Sequence, residues 1–426
     1  MILRSNIKIK RLQQSNSEQC KWVNNLYNGD QIKFLKSGGK KVARWSDKTV
    51  IKAIKLKFMT RTRGYNYIRK TGGAYPSVRT LQRCLQNINC QPGVLDDVFN
   101  LLKLKVDLME ERDRQIVLIY DEMTISQTIE HSKSSDELLG GITLPGGQGQ
   151  AEKAMVVMAA GLSRRWKQTL CYHFTGDTFD SKVMAKLLLD IIKKCHDIGL
   201  FVKVVGSDMG SDNQGVLREM GIKAKRTSDP IVSYISHPQY DNERLYFTYD
   251  VPHLLKNMRN VFTNGCEILL SDVLVSKYNL PSNTVKLEYI LSLWQHDMNN
   301  PRGMKLAPNL TEKHFFPSHF DKMNVNLAKH FFDISVSAGI LYLIDLGLLP
   351  EEAKSTAWLL RQVNKWFYIT SNRRCPLKSS YNFFKYQEAI TFLNGFIYAC
   401  RNIFIRAPTE KSSCWKPVNP SSFRRS

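Results

Sequence analysis

The sequence predicts a mixed α/β core over its middle third and an all-α region after it, preceded by a small helical module. Three observations carry this. Strand-length apolar runs alternate with one strongly periodic helix between Gln115 and Asp250. Helix-period stretches dominate from Pro252 onward. Charge is concentrated near the N-terminus: residues 1–105 hold 22 Lys and Arg against 5 Asp and Glu, a net of +17 out of +23.

Length and composition narrow the classes. At ~150 residues per domain, 426 residues suffice for about three domains. An apolar fraction of 43% supports a sizeable core and argues against wholesale disorder. No apolar run is expected to span a bilayer: Ile334 to Ile344 is cut off by Asp333 and Asp345, where ~20 residues are needed. Arg4, Lys8, Lys10 and Arg11 leave no apolar stretch for a secretory signal. Nine cysteines without a CxxC pair point to reduced thiols in cytosol or nucleus, and away from a zinc finger. A basic quarter before a nearly balanced body is the footprint of a polyanion-binding module. A merely solvated basic surface is the plainer alternative. The helical pattern of the same residues favours nucleic acid.

Residues 1–44 read as a basic irregular leader with one weak helix near Gln31–Lys36. Residues 45–110 read as a helix-turn-helix DNA-binding domain. Ser46 caps a helix to about Met59, with Val50, Ile54 and Phe58 inward and Lys52, Lys55 and Lys57 outward. A short helix spans Arg63–Lys70, Gly72-Gly73 and Pro76 make a turn, and Ser77 caps a last helix to about Ile88. In that geometry the last helix enters the major groove with its N-terminal residues at the base edges. Arg79 and Arg83, one turn apart, are its candidates for base or phosphate contact. Arg61, Arg63 and Lys70 complete the DNA-binding set. Pro92 opens an amphipathic connector helix to about Met109.

Residues 111–249 follow the order strand, strand, strand, helix, strand, helix, strand. The elements are Gln115–Tyr120, Lys153–Gly161, Gln168–Phe174, helix Ser181–His196, Phe201–Val205, a short helix near Asn213–Met220, and Leu245–Tyr249. This is the ribonuclease-H-like order, a mixed sheet of antiparallel and parallel strands. Residues 250–406 are expected to be helical, with periodic stretches at Leu254–Phe262, Thr284–Trp294, Asn326–Leu346, Glu351–Trp366 and Tyr381–Phe404. Residues 407–426 form a disordered tail. Gly140-Gly141 and Gly146-Gly147-Gln148-Gly149 lack the Lys-Ser/Thr of a phosphate loop and read as a flexible strand connector.

Two aspartates carry the chemistry. Asp121 ends the run IVLIY and Asp208 ends VKVV, in the string GSDMGSDN. Alone, each reads as a strand-end turn former. Together, in this order and spacing, they point to a divalent-metal site, because magnesium takes hard carboxylate oxygens and neutralises phosphodiester charge. Glu122 points away from Asp121 by strand alternation, and Asp212 reads as an N-cap. Asp250, before Val251-Pro252-His253, reads from its residues as an N-cap, with Lys256 and Arg259 lining a basic face of the adjoining helix.

Several strings resemble P-element-type transposases, including vertebrate relatives with an N-terminal THAP finger: RWSDKTV, TRGYNYIRKTGGAYPSVRTLQRCLQ, IYDEMTIS, GSDMGSDNQ, YDVPHLLKNMRN and KMNVNLA. The resemblance covers roughly residues 30 to 405. It implies a helix-turn-helix domain, a ribonuclease-H-like DDE catalytic domain, and a helical GTP-binding insertion domain over residues 250–406. It implies Asp121 and Asp208 as catalytic, metal-holding acids for Mg²⁺ or Mn²⁺. It implies GTP contacts for Asp250 and Lys256, in place of the capping role. DNA and GTP are the implied partners, with no membrane; the reading is compatible with a homo-oligomer and places the protein in the nucleus. The chain departs from the family in two ways: no zinc-finger spacing precedes residue 45, and no SQDxLExxF-like string supplies the third acid, Glu388 in KYQEAITFL being the nearest lookalike. The expectation is a chain shortened at both ends, with weak or no strand cleavage. A non-enzymatic nuclear DNA-binding regulator is the alternative, and a GTP-switched module a third.

Overall fold

The computed structural model describes residues 26–39, 44–86, 88, 90–132, 137–223, 230–300, 303–371, 383–406 and 416–417. Packing divides the chain into two units: Met1–Val204 with His237–Glu243, and Val205–Ser236 with Arg244–Ser426.

The first unit opens with α1 (Gly29–Lys36), α2 (Asp47–Lys70) and α3 (Val78–Leu85). Ser46 and Ser77 cap α2 and α3 as expected, accepting from Thr49 N and Thr80 N. Far from being an isolated leader element, α1 is bonded to the start of α2 and to the turn before α3. The fully buried Gln31 donates to Ala74 O at 2.7 Å, and Asp30 accepts from Ser46 N at 2.8 Å and Thr49 Oγ1 at 2.8 Å. Helix α2 breaks at Arg61 (φ 56°, ψ 178°), between the two segments the sequence predicts. The chain leaves the helical path there and packs Tyr65 against Ala53, Ile54 and Leu81. Phe58, expected inward, is consequently exposed. The connector helix also differs: Gly93 has φ 131°, outside the helical region, and Gly93–Val94 (β1) pairs with Tyr172 and Cys171 before α4 (Asp96–Val106) begins.

The strands of this unit are β2 (Gln115–Thr124), the hairpin β3 (Glu130–Ser132) and β4 (Glu137–Leu139), β5 (Lys153–Gly161) and β6 (Lys167–Thr175). Helix α5 (Ser181–Asp197) then leads into β7 (Phe201–Ser207). The sheet is mixed, in the order β1-β6-β5-β2-β7. Ile116, Leu118 and Tyr120 alternate inward along β2. The β2–β5 register is unbroken from Ile116↔Gly161 to Thr124↔Lys153. Gly161 closes the β5–β6 turn, where any Cβ would lie 2.4 Å from Arg164 O and from Trp166 Nε1.

The glycine-rich stretch is not a loose connector. Ile142 N donates to Gly149 O at 3.0 Å, Ala151 N to Gly140 O at 2.8 Å, and Thr143 N to Phe174 O at 3.0 Å. These bonds fold residues 140–151 into a hairpin seated on the end of β6.

In the second unit α6 (Ser211–Glu219) comes after β7. The strands β8 (Tyr234–Ser236) and β9 (Arg244–Tyr249) then pair antiparallel, with β9 next to β7. Then come α7 (Val251–Thr263), β10 (Glu267–Leu270), α8 (Asp272–Tyr278), β11 (Thr284–Val285) and α9 (Leu287–Asn299). The chain continues through α10 (His319–Met323), α11 (Val325–Phe331), α12 (Ile334–Asp345), α13 (Ala353–Ser371), α14 (Phe383–Arg401), β12 (Ile403–Arg406) and β13 (Lys416–Pro417). The expectation of an all-helical region is corrected by the sheet β11-β10-β12-β13, in which Ile268 faces Ile405. Short apolar runs such as EILL carry no period that separates strand from helix, so their pairing partners decide. The expected helix Asn326–Leu346 is two helices, because Asp333 caps α12 through Ser335 N at 2.9 Å. Taken as one stretch, Val325–Asp345 is long and apolar enough to cross a membrane, at mean hydropathy 1.4. Here it is broken at Asp333, and Phe331, Ile340 and Leu343 lie in the core with Leu255 and Leu360. The expected disordered tail lies outside the described residues apart from Lys416–Pro417.

Candidate functional site

Asp208 is the first residue past β7. Its Oδ1 accepts from Gly210 N at 2.7 Å and from Asn213 Nδ2 at 2.5 Å. Asn213 is itself buried, so the carboxylate is oriented from two sides. Among the described residues Oδ2 has no hydrogen-bond partner. A carboxylate with one oxygen fixed and the other presented suits a hard cation. Asp212 is not the N-cap expected: Gly210 occupies that position, and Asp212 sits in the first turn of α6.

Asp121 is not at a strand tip. It sits within β2 opposite Val156, because the ladder with β5 continues to Thr124. It lies on the exposed face, away from Tyr120, and its Oδ1 accepts from Glu122 N at 2.9 Å. Glu122 takes the other face, as expected. Its Oε1 accepts from Thr175 Oγ1 at 3.1 Å, and Lys153 Nζ stands 3.6 Å from its Oε2. Lys153 also pairs with Asp177 at 3.3 Å. Glu122 is thus engaged by neighbours that alternation alone did not identify.

Asp250 is the N-cap of α7, so the capping role read from its residues is observed. Oδ2 accepts from His253 N at 3.0 Å and from the His253 ring at 2.5 Å. Burial would raise its pKa. The His253 hydrogen bonds, with the positive charge of His253 and Lys256, outweigh that and hold it below the usual carboxylate value. Lys256 lies on the same helix, partly exposed. A carboxylate accepts from base N–H groups, and a lysine further along the same helix offers a cation to phosphate. One turn beyond Leu255, Arg259 is fully buried and donates to Asp321 O at 3.2 Å and Lys322 O at 2.7 Å, tying α7 to α10. Sequence reading placed Arg259 on a basic face; only the folded chain shows it turned inward.

Arg61, Arg63, Lys70, Arg79 and Arg83 are all exposed. Arg79, Gln82, Arg83 and Gln86 share the outer side of α3, opposite the buried Leu81. Glu388 is exposed on α14. Among the described residues no three His, Cys, Asp or Glu side chains gather around one point.

A mixed sheet of ribonuclease-H-like order, continued in the chain by a largely helical segment, defines the class of ribonuclease-H-like proteins. Residues 90–221 match the model of the TNP-like RNase H N-terminal domain, and residues 252–383 that of the TNP-like GTP-binding insertion domain. The chain belongs to the P-element-type transposase family. It is 26% identical over 348 residues to the Transposable element P transposase of Drosophila melanogaster, covering 82% of this chain and 41% of that protein. It is 24% identical over 325 residues to the human DNA transposase THAP9, covering 75% of this chain and 34% of that one. The chain therefore spans less than half the length of these relatives. Its fold is similar to the Drosophila P element transposase strand transfer complex, with a TM-score of 0.61 and 24% identity over 91% of this chain and 80% of that chain.

Proposed function

We propose that the chain is a P-element-like DDE transposase, or a domesticated derivative of one, acting on DNA in the nucleus. The observation that carries this is the succession in one chain of a ribonuclease-H-like domain and a GTP-binding insertion domain. In this reading residues 45–110 bind DNA, residues 111–249 form the catalytic domain and residues 250–406 bind GTP. Asp121 and Asp208 would each offer a carboxylate to Mg²⁺ or Mn²⁺, which would supply charge neutralisation at phosphodiester oxygens. The chain's own contribution is orientation. Asn213 and Gly210 fix Asp208, while the β2–β5 ladder fixes Asp121. Asp250 and Lys256 contact GTP. The test is nicking of duplex DNA by the full chain in Mg²⁺ or Mn²⁺. Metal-dependent nicking abolished by Asp121→Ala and by Asp208→Ala supports the assignment. Nicking that survives both substitutions overturns it.

A second reading, a non-enzymatic DNA-binding regulator, is favoured by the basic helical module, whose exposed Arg79 and Arg83 need no metal. Salt-sensitive DNA binding without metal-dependent nicking selects it.

A further inference from the structure

We infer that the first unit holds a pocket for a single base turned out of the DNA stack, beside the strand that carries Asp121. This rests on the DNA-processing reading above. A cavity of about 270 Å³ lies between the glycine hairpin, the end of β6 and the start of α5. Its apolar walls include Ile142, Leu144, Phe179 and Val183, and its polar ones Gln148 and Asp180. At ~30 Å³ per liquid water molecule this is room for about nine waters, enough for one planar heterocycle but not for a base pair.

The walls are built to approach closely. A Cβ on Gly147 would fall 2.3 Å from Ile142 Cγ2, and one on Gly176 3.3 Å from Ile142 Cδ1. The hairpin is anchored through Thr143, whose Oγ1 accepts from Phe174 N at 2.8 Å. The pocket is linked to β2: Thr175 lines it and donates to Glu122, whose side chain leaves β2 on the face opposite Asp121.

The lining selects the ligand class. It contains no Lys or Arg and does contain the Asp180 carboxylate, which repels phosphate. Asp180 Oδ1 caps α5 through Lys182 N at 2.8 Å. Among the described residues its Oδ2 and the Gln148 amide have no hydrogen-bond partner. A carboxylate accepts from base N–H groups, an amide can both donate and accept, and Phe179 offers an apolar face. That set recognises a nucleobase with an exocyclic amino group. The guanine of a free nucleotide has the same edge; proximity to β2 favours a base of the DNA.

The test compares the affinity of the full chain for a perfect duplex and for the same duplex with one bulged cytosine or guanine, whose unstacking is already paid. The bulged duplex is expected to bind about tenfold tighter, equivalent to about 1.4 kcal/mol. Thr178→Trp, at the exposed mouth, and Gln148→Ala should each remove that preference while perfect-duplex binding and thermal unfolding stay unchanged. Saturating GTP should leave the preference intact. Equal affinity for the two duplexes, or a preference that survives both variants, overturns the pocket and leaves the DNA reading standing. Loss of the preference to GTP alone assigns the pocket to free nucleotide and overturns the DNA base. Failure to bind either duplex overturns both readings.

Discussion

The backbone N–H of Asp250 donates to the carbonyl of Ser207 at 2.9 Å. Ser207 precedes Asp208, so the acid proposed for metal and the acid proposed for GTP stand at the ends of neighbouring strands, β7 and β9. A nucleotide that shifts the start of α7 therefore shifts the turn holding Asp208. We expect GTP to change Mn²⁺ affinity by about fivefold, near 1 kcal/mol of coupling. Titration calorimetry with and without GTP measures it; identical Mn²⁺ affinities would show the two sites to be independent.

Asn213→Ala removes the donor 2.5 Å from Asp208 Oδ1. Loss of a buried, charge-assisted hydrogen bond should cost roughly 2 kcal/mol of stability. As an outer partner of a metal ligand it should also cost about tenfold or more in Mn²⁺ affinity. Unchanged Mn²⁺ binding in a destabilised variant would make Asn213 purely structural.

Asp250→Ala removes the cap of α7 and should cost about 1 kcal/mol. Asparagine caps nearly as well, so Asp250→Asn should lose less stability while GTP affinity falls. The folded-state pKa of Asp250 is lowered, so its contribution is present above the ordinary carboxylate value and lost as pH falls through the folded one. Wild type and Asp250→Ala should converge in stability in acid. Nucleotide affinity that is equal in wild type and Asp250→Asn would remove Asp250 from the GTP site.

His314 is buried, with Nδ1 accepting from Thr311 N at 3.0 Å. Burial, more than the nearby Arg259 and His330, pushes its pKa down to about 4. The unfolded chain binds the extra proton from about pH 6.5 downward and the folded one only near pH 4. Stability is thus full above pH 6.5 and falls as pH drops toward 4, by roughly 3 kcal/mol. Denaturant titrations of His314→Gln should show that slope flattened; an unaltered pH profile would place the acid sensitivity elsewhere.

Arg79→Ala combined with Arg83→Ala should weaken duplex binding and reduce the log–log salt slope by about 1.8, if each neutralises one phosphate. An unchanged slope would move the DNA interface off α3.

The sheet was legible because its strands are long, apolar and punctuated. Lys153–Gly161 and the α5 periodicity translate directly into elements. The caps at Ser46, Ser77 and Asp250 were legible for the same local reason. What escaped depends on partners distant in sequence. The extension of β2 past Asp121 is set by β5, and the Gly140–Gly149 hairpin is set by Phe174. The engagement of Glu122 and the inward turn of Arg259 are tertiary in the same way. The sequence identifies the candidate acids; the positions of their holders come from packing.

The pairing of β10 with β12 joins Glu267 to Arg406, 139 residues apart. During synthesis, β10 leaves the ribosome long before its partner exists. The apolar edge of EILL must wait, exposed, through the whole helical segment between them. Closure of so large a loop makes its pairing a late step of folding. A nascent chain halted before residue 403 should therefore be a substrate for chaperones rather than a folded unit, and the short strand near the end acts as the clasp that completes it.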